Sequence, residues 1–215
     1  MSLPAEKSSP QAAASSESVR QVVFSLPNQL TGGRLGLTLV LFVLLVWQWY
    51  LAALVVFVVA VGTDWLDGYL ARRLNQVSTL GRILDPFADK LLICGTYVFL
   101  VADPTPEFAR FLQPWMAVVI LGRELLVTAL RSFLEQRGKD FSAQWSGKLK
   151  MVFQSLAAGV GIYVLYRLQA GPSLHWVWVV LLHALVWVAL VLTVYSGIGY
   201  IRRAVRLLQE EPSGQ

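Results

Sequence analysis

Residues Asp64 to Asp89 read DWLDGYLARRLNQVSTLGRILDPFAD and follow directly on the apolar run LAALVVFVVAVGT. Four aspartates, the Arg72–Arg73 pair and two glycines stand where an apolar segment ends. Asp64 and Asp67 are three residues apart, and Asp85 and Asp89 four apart, so helical segments would present each pair on one face. The spacing predicts two helices joined by a tight hairpin through NQVSTLG, with the two carboxylate pairs brought together. Pro86 fits a helix that begins close to Asp85, where a missing amide costs little.

The rest of the chain is as apolar as the run that precedes this stretch. Of 215 residues, 56% are hydrophobic and only 14% charged, against about 25% charged in a typical soluble domain. Mean hydropathy is +0.58. Apolar segments cover roughly 30–47, 50–72, 85–101, 111–133, 148–166 and 174–201. Each has about the length needed to cross hydrocarbon, where only helices or closed barrels satisfy the backbone. The expectation is an all-α polytopic membrane protein with six transmembrane helices. Residues 1–17 form a polar tail and 18–206 the helical domain, opening with a short interfacial piece and a Pro27–Asn28 turn. Residues 207–215 form a flexible C-terminal tail.

Charge placement tests this map. Lys7, Arg20, Arg34, Arg72, Arg73, Arg82, Lys90, Arg131, Arg137, Lys139, Lys148, Lys150, Arg202, Arg203 and Arg206 fall on one side, and only Arg110 and Arg167 lie near the other. The positive-inside rule then puts both termini, and the aspartate stretch, in the cytoplasm of a cell (inner) membrane. Topology and an anionic substrate account for the net charge of +5, and no nucleic-acid partner is implied. Trp47, Trp49 and Tyr50 mark an aromatic belt at the far side, with Trp145, Trp176 and Trp178 in similar roles. The single cysteine, Cys94, excludes an intrachain disulfide and reads as a small buried hydrophobe.

A lone DxxD would be a solvated helix end. Four carboxylates in one half-buried place repel one another and resist desolvation, and divalent cations offset both costs. Oxygen ligands without accompanying histidine or cysteine point to Mg²⁺, or Mn²⁺, and a pair of ions would clamp phosphoryl chemistry. Gly68 and Ala71 keep the surface beside the aspartates low, Gly81 permits close approach, and the planar fork of Arg72 suits phosphate. No Ser-His-Asp or Cys-His arrangement is evident. His175 and His183 read as packing or interfacial residues.

The set Asp64, Asp67-Gly68, Ala71-Arg72, Gly81, Asp85 and Asp89 resembles the signature of the CDP-alcohol phosphatidyltransferase family at every spacing. The resemblance implies a six-helix membrane enzyme, a homodimer, that transfers a substituted phosphoryl group from a CDP-linked lipid to an alcohol and releases CMP. It implies metal binding by Asp64, Asp67, Asp85 and Asp89, with Asp89 also the base for the acceptor hydroxyl. Asp64, Gly68, Ala71, Arg72 and Gly81 would then line the CDP-lipid site.

Other stretches must choose the acceptor. LPNQLTGGR (26–34), GRELLVTALRSFLEQRGKDF (122–141) and SGKLKMVFQ (146–154) resemble the branch of the family that joins CDP-diacylglycerol to glycerol 3-phosphate. A phosphomonoester acceptor needs extra positive charge, for which Arg34, Arg123, Arg131, Lys148 and Lys150 are the candidates, with Thr31 as a donor. Arg123 and Glu124 lie inside an apolar segment, where exposure to lipid would be expensive. Glu124 is placed to hold an arginine. Branches using phosphatidylglycerol or an inositol phosphate remain open. In a different class, so does a cation transporter or cation-binding protein, although aspartates clustered at one interface do not trace a route across.

Overall fold

A computed structural model describes residues 26–74, 79–137, 145–171 and 174–209. The N-terminal tail and the interfacial piece before Leu26 lie outside the described residues. So do positions 75–78 of the expected hairpin and the side chains at 64–83 and 85. The described residues form six α-helices and one short 3-10 turn, with no strand among them. The helices are α1 (Leu26–Val46), α2 (Tyr50–Leu74), α3 (Thr79–Val101), α4 (Pro114–Gln136), α5 (Trp145–Ala170) and α6 (Trp176–Gln209). The all-α expectation holds, and each apolar segment corresponds to one helix.

Three boundaries differ for identifiable reasons. Pro27 falls in the first turn of α1, where its missing N–H is one of the unbonded four, so Pro27 and Asn28 belong to the helix and not to a turn. Helix α3 begins at Thr79, not near Asp85, and Pro86 sits inside it. A proline there forgoes the bond to the Arg82 carbonyl, and its ring points to the exposed surface, which limits the clash. Helix α6 continues to Gln209, past the expected boundary at 206. Its 34 residues span about 51 Å at 1.5 Å per residue, well beyond a hydrocarbon core of about 30 Å.

The link between α1 and α2 is a C-terminal cap without glycine. Gln48 takes the left-handed conformation, φ 59°. Its N–H donates to the Leu45 carbonyl at 3.0 Å, and the Trp49 N–H donates to that of Leu44 at 2.9 Å, the two bonds of a Schellman motif. Trp47 and Trp49 remain outside, 62% and 61% exposed, as a belt requires, but Tyr50 is only 3% exposed. Its hydroxyl donates to Asp103 Oδ2 at 2.6 Å. Asp103 Oδ1 accepts from the Thr105 N–H at 3.0 Å, closing the turn after α3. Tyr50 is therefore a buried tie between α2 and that turn, not a belt residue. Trp178 likewise packs inward on Tyr163, with ring centroids 4.5 Å apart.

Helix α1 packs on α2 and α3, α3 also on α4 and α5, α2 on α5, and α6 on α4 and α5. Small residues set the close approaches. A Cβ at Gly95 would lie 2.2 Å from Cζ of Phe42, whose ring packs on Phe99 at 4.8 Å. Gly159 meets Phe57, Gly161 meets Leu100 and Phe108, and Ala53, Ala60, Ala157 and Ala158 are buried beside them. Leu41, Tyr97, Leu100, Ile120, Ile162, Leu165 and Leu182 fill the centre. The outside is also apolar: Leu39, Val55, Val58, Val118, Leu125, Val180 and Val191 all stand exposed. Helices apolar on both faces suit a hydrocarbon surround. By length and composition two helical stretches, Leu149–Ala170 and Trp176–Leu207, could cross a membrane, and Thr31–Val46 and Tyr50–Thr63 are shorter apolar helices. Internal charges interrupt α3 and α4: Asp89 and Lys90 in one, Arg123, Glu124 and Arg131 in the other.

Candidate active site

Thr31, Arg34 and Thr38 lie on one buried face of α1. The Thr38 hydroxyl donates to the Arg34 carbonyl at 2.8 Å. The Arg34 guanidinium crosses to α3, where Nη1 donates to Asp89 Oδ1 at 2.6 Å. The Arg34 side chain is 2% exposed and that of Asp89 27%. So short a charge-assisted bond fixes the direction of the carboxylate. Arg34, expected at the acceptor, meets the residue expected to be the base.

A second group of charges joins α4 to α5. The Lys150 ammonium donates to Glu124 Oε1, and Arg123 Nη1 donates to the same oxygen at 3.1 Å. Lys150 is 1% exposed, and the side chains of Arg123 and Glu124 are 9% and 13% exposed. Neighbours in a helix do not face each other, so the Arg123 side chain has to bend back to reach Glu124. Gly197 on α6 makes room, since a Cβ there would stand 3.2 Å from Arg123 Cγ. The buried Tyr200 ring takes the guanidinium, with Arg123 Cζ 5.2 Å from its centroid. Arg123 Nε and Nη2 are buried and have no hydrogen-bond partner among the described residues, and the same holds for Arg131 Nε. Arg131 lies two turns from Glu124 on the same face. The Lys148 side chain lies outside the described residues.

A neutral ladder lies deeper in the bundle. The Tyr97 hydroxyl donates to the Gln154 carbonyl at 3.1 Å. Gln154 Nε2 donates to Thr193 Oγ1 at 3.0 Å, and Thr193 Oγ1 to the Ala189 carbonyl at 2.6 Å. These bonds tie α3, α5 and α6 where buried polar groups need partners. Half-buried Cys94 on α3 is in electrostatic reach of Glu124 and Lys150. His183 packs on Phe111, centroids 4.7 Å apart, as expected of a packing residue. Sequence reasoning passed over Tyr97, Gln154, Thr193, Gly197 and Tyr200. Their signal was polar side chains at helical spacing inside apolar segments: Gln154 four residues after Lys150, and Thr193, Gly197 and Tyr200 along α6.

A family model described as CDP-alcohol phosphatidyltransferase matches residues 24–195, from the entry of α1 into α6. The chain belongs to the CDP-alcohol phosphatidyltransferase family. Three curated relatives illustrate where in the family it sits, each named CDP-diacylglycerol–glycerol-3-phosphate 3-phosphatidyltransferase. The chain is 34% identical to that of Bacillus subtilis (strain 168) over 199 residues, covering 84% of this chain and 95% of the relative. It is 38% identical to that of Pseudomonas fluorescens over 188 residues, 84% of this chain and 90% of the relative. With the relative from Escherichia coli (strain K12) it shares 35% identity over 188 residues, 84% of this chain and 95% of the relative.

CDP-alcohol phosphatidyltransferases generally use divalent metal ions. In this member Asp64, Asp67, Gly68, Ala71 and Arg72 occupy positions in the last turns of one continuous helix, α2, while Gly81, Asp85 and Asp89 are carried by α3. The helical backbone puts positions 64 and 67 on one face, and 85 and 89 on one face. No group of three metal-ligating side chains occurs among the described residues, from which the side chains of Asp64, Asp67 and Asp85 are excluded. The four aspartates offer carboxylate oxygen only, and the one whose side chain is described, Asp89, has its direction set by Arg34. Such a set fits a hard divalent cation.

Proposed function

We propose that this protein transfers the phosphatidyl group of CDP-diacylglycerol to glycerol 3-phosphate, forming phosphatidylglycerophosphate and releasing CMP. The observation that carries the choice of acceptor is the buried edge of Arg123 beside Lys150, two cations inside an apolar bundle with donors still open to an anion. The names of the relatives support the same acceptor.

Asp64, Asp67, Asp85 and Asp89 would hold Mg²⁺ or Mn²⁺, two ions in all. Bound there, the metal supplies charge neutralisation for the diphosphate and the departing CMP. Asp64, Gly68, Ala71, Arg72 and Gly81 receive the nucleotide end of the lipid, and the small residues leave room beside the aspartates. Thr31, Arg131, Lys148, Lys150 and Arg123 form the acceptor side. Arg34 belongs to both groups, since it sits on α1 beside Thr31 and holds Asp89. The acceptor hydroxyl oxygen attacks the phosphatidyl phosphorus, its proton passes to the Asp89 carboxylate, and the bond from phosphorus to the CMP oxygen breaks. A direct displacement requires no covalent enzyme intermediate.

All six helices cross a cell membrane, with both termini, the aspartates and the acceptor side in the cytoplasm, and the protein works as a homodimer among membrane lipids. The catalytic domain runs from about residue 18 to the end of α6 at Gln209. The test is an assay of purified protein with CDP-diacylglycerol and Mg²⁺, offering glycerol 3-phosphate, phosphatidylglycerol and an inositol phosphate in parallel. CMP release that depends on glycerol 3-phosphate is expected. Turnover with one of the others, and none with glycerol 3-phosphate, overturns the choice of acceptor. Cation flux without CDP-lipid consumption overturns the enzyme reading altogether.

A further inference from the structure

Arg123 is held from three sides and left open on a fourth. Glu124 takes Nη1, Gly197 admits the stem, and the Tyr200 ring receives the guanidinium. The two nitrogens without partners, Nε and Nη2, form the edge with parallel N–H bonds that a phosphate accepts in bidentate fashion. Buried donors left unmet are costly and rare in native proteins, so an edge fixed in place and unmet is built for a ligand. Lys150 lies at the same carboxylate oxygen as Arg123, although it comes from a different helix. Without Glu124 these cations would repel each other, and the Lys150 ammonium, 1% exposed, would lose its carboxylate partner.

We propose that Glu124 is a positioning residue that gathers Arg123 and Lys150 into one receptor for a phosphomonoester dianion. The inference rests on the acceptor proposed above and adds to it a residue that does not touch the substrate. One oxygen of Glu124 serves both cations, so the pair is spaced by a single anchor. Glu124 also removes one of the two positive charges locally, which lets both cations remain buried while the site is empty. When the phosphate binds, it takes the Nε and Nη2 edge, and the bonds that Glu124 accepts stay in place. A carboxylate that merely neutralised charge would have no need to align that edge.

The test measures KM for each substrate and kcat separately, on purified full-length protein in phosphatidylcholine vesicles. In Glu124→Gln the KM for glycerol 3-phosphate is expected to rise roughly tenfold or more, the worth of a charge-assisted hydrogen bond, while the KM for CDP-diacylglycerol stays within about twofold. Glu124→Asp should recover part of the loss. Arg123→Lys, which keeps the charge and loses the fork, should raise the same KM. In a Lys150→Gln background the Glu124→Gln effect should shrink, because Glu124 acts through its partners. Unchanged acceptor KM in Glu124→Gln overturns the proposal, and so do equal rises for both substrates or fully multiplicative effects in the double variant. Should Glu124→Gln fail to fold, the folded Glu124→Leu/Lys150→Met pair decides: near-normal acceptor KM there refutes the receptor. Wild-type protein that ignores glycerol 3-phosphate would defeat the acceptor assignment instead, a result separate from any of these.

Discussion

In the proposed reaction Asp89 takes the proton of the acceptor hydroxyl, and Arg34 determines how its carboxylate is presented. Replacing Asp89 with Asn keeps the size and removes the proton acceptor. CMP release by Asp89→Asn should fall roughly 10²–10⁴-fold, the usual contribution of a positioned base, in protein that elutes and melts as folded. Near-normal turnover would remove Asp89 from the base role. At this scale the sequence was informative about types and spacing and silent about pairing. The interval from Arg34 to Asp89 is 55 residues and nothing local announces that they meet. Glu124 was legible as the holder of an arginine because a carboxylate inside an apolar segment needs a partner. That its other partner would be Lys150, 26 residues away, follows only from how α4 lies against α5.

Helices were the most legible level, since long apolar runs admit few alternatives once lipid is the surround. The misplaced start of α3 has a local cause. Asp85-Pro86 is a strong boundary signal, because proline disfavours the helical conformation of the residue before it, yet packing of the rest of α3 overrides that preference. The contact between α1 and α3 through Gly95 was not legible, because a glycine in LLICGTYVF looks like any small residue in an apolar run. Its importance follows from the Phe42 ring placed 2.2 Å from where a Cβ would stand. Gly95→Ala should therefore destabilise the folded protein by about 1–3 kcal/mol, the cost of overpacking, read as a lower unfolding temperature in detergent. Pairing it with Phe42→Leu should restore part of the loss. A Gly95→Ala melt equal to wild type would show that α1 moves aside without penalty.

For the molecule as a whole, the buried charges join helices in two groups: Arg34 of α1 with Asp89 of α3, and Arg123 and Glu124 of α4 with Lys150 of α5. Tyr50 of α2 is tied to Asp103, in the turn after α3. Single cysteines placed at Glu107 and at Gln209, in a chain with Cys94→Ala, should react with a membrane-impermeant maleimide from opposite faces of sealed vesicles. Labelling of both from the same face would contradict the topology. The bond from Tyr50 to Asp103 bears on how that topology is reached during synthesis. Asp103 leaves the ribosome only after α3, so the hydroxyl of Tyr50 stays unmatched until a third helix has been threaded in the correct sense. A chain that inserts α3 upside down delivers Asp103 to the wrong end and strands a buried hydroxyl, at about 1–3 kcal/mol. Under the proposed topology, the Tyr50–Asp103 bond therefore favours correct threading of α3 over the inverted one before α4 enters.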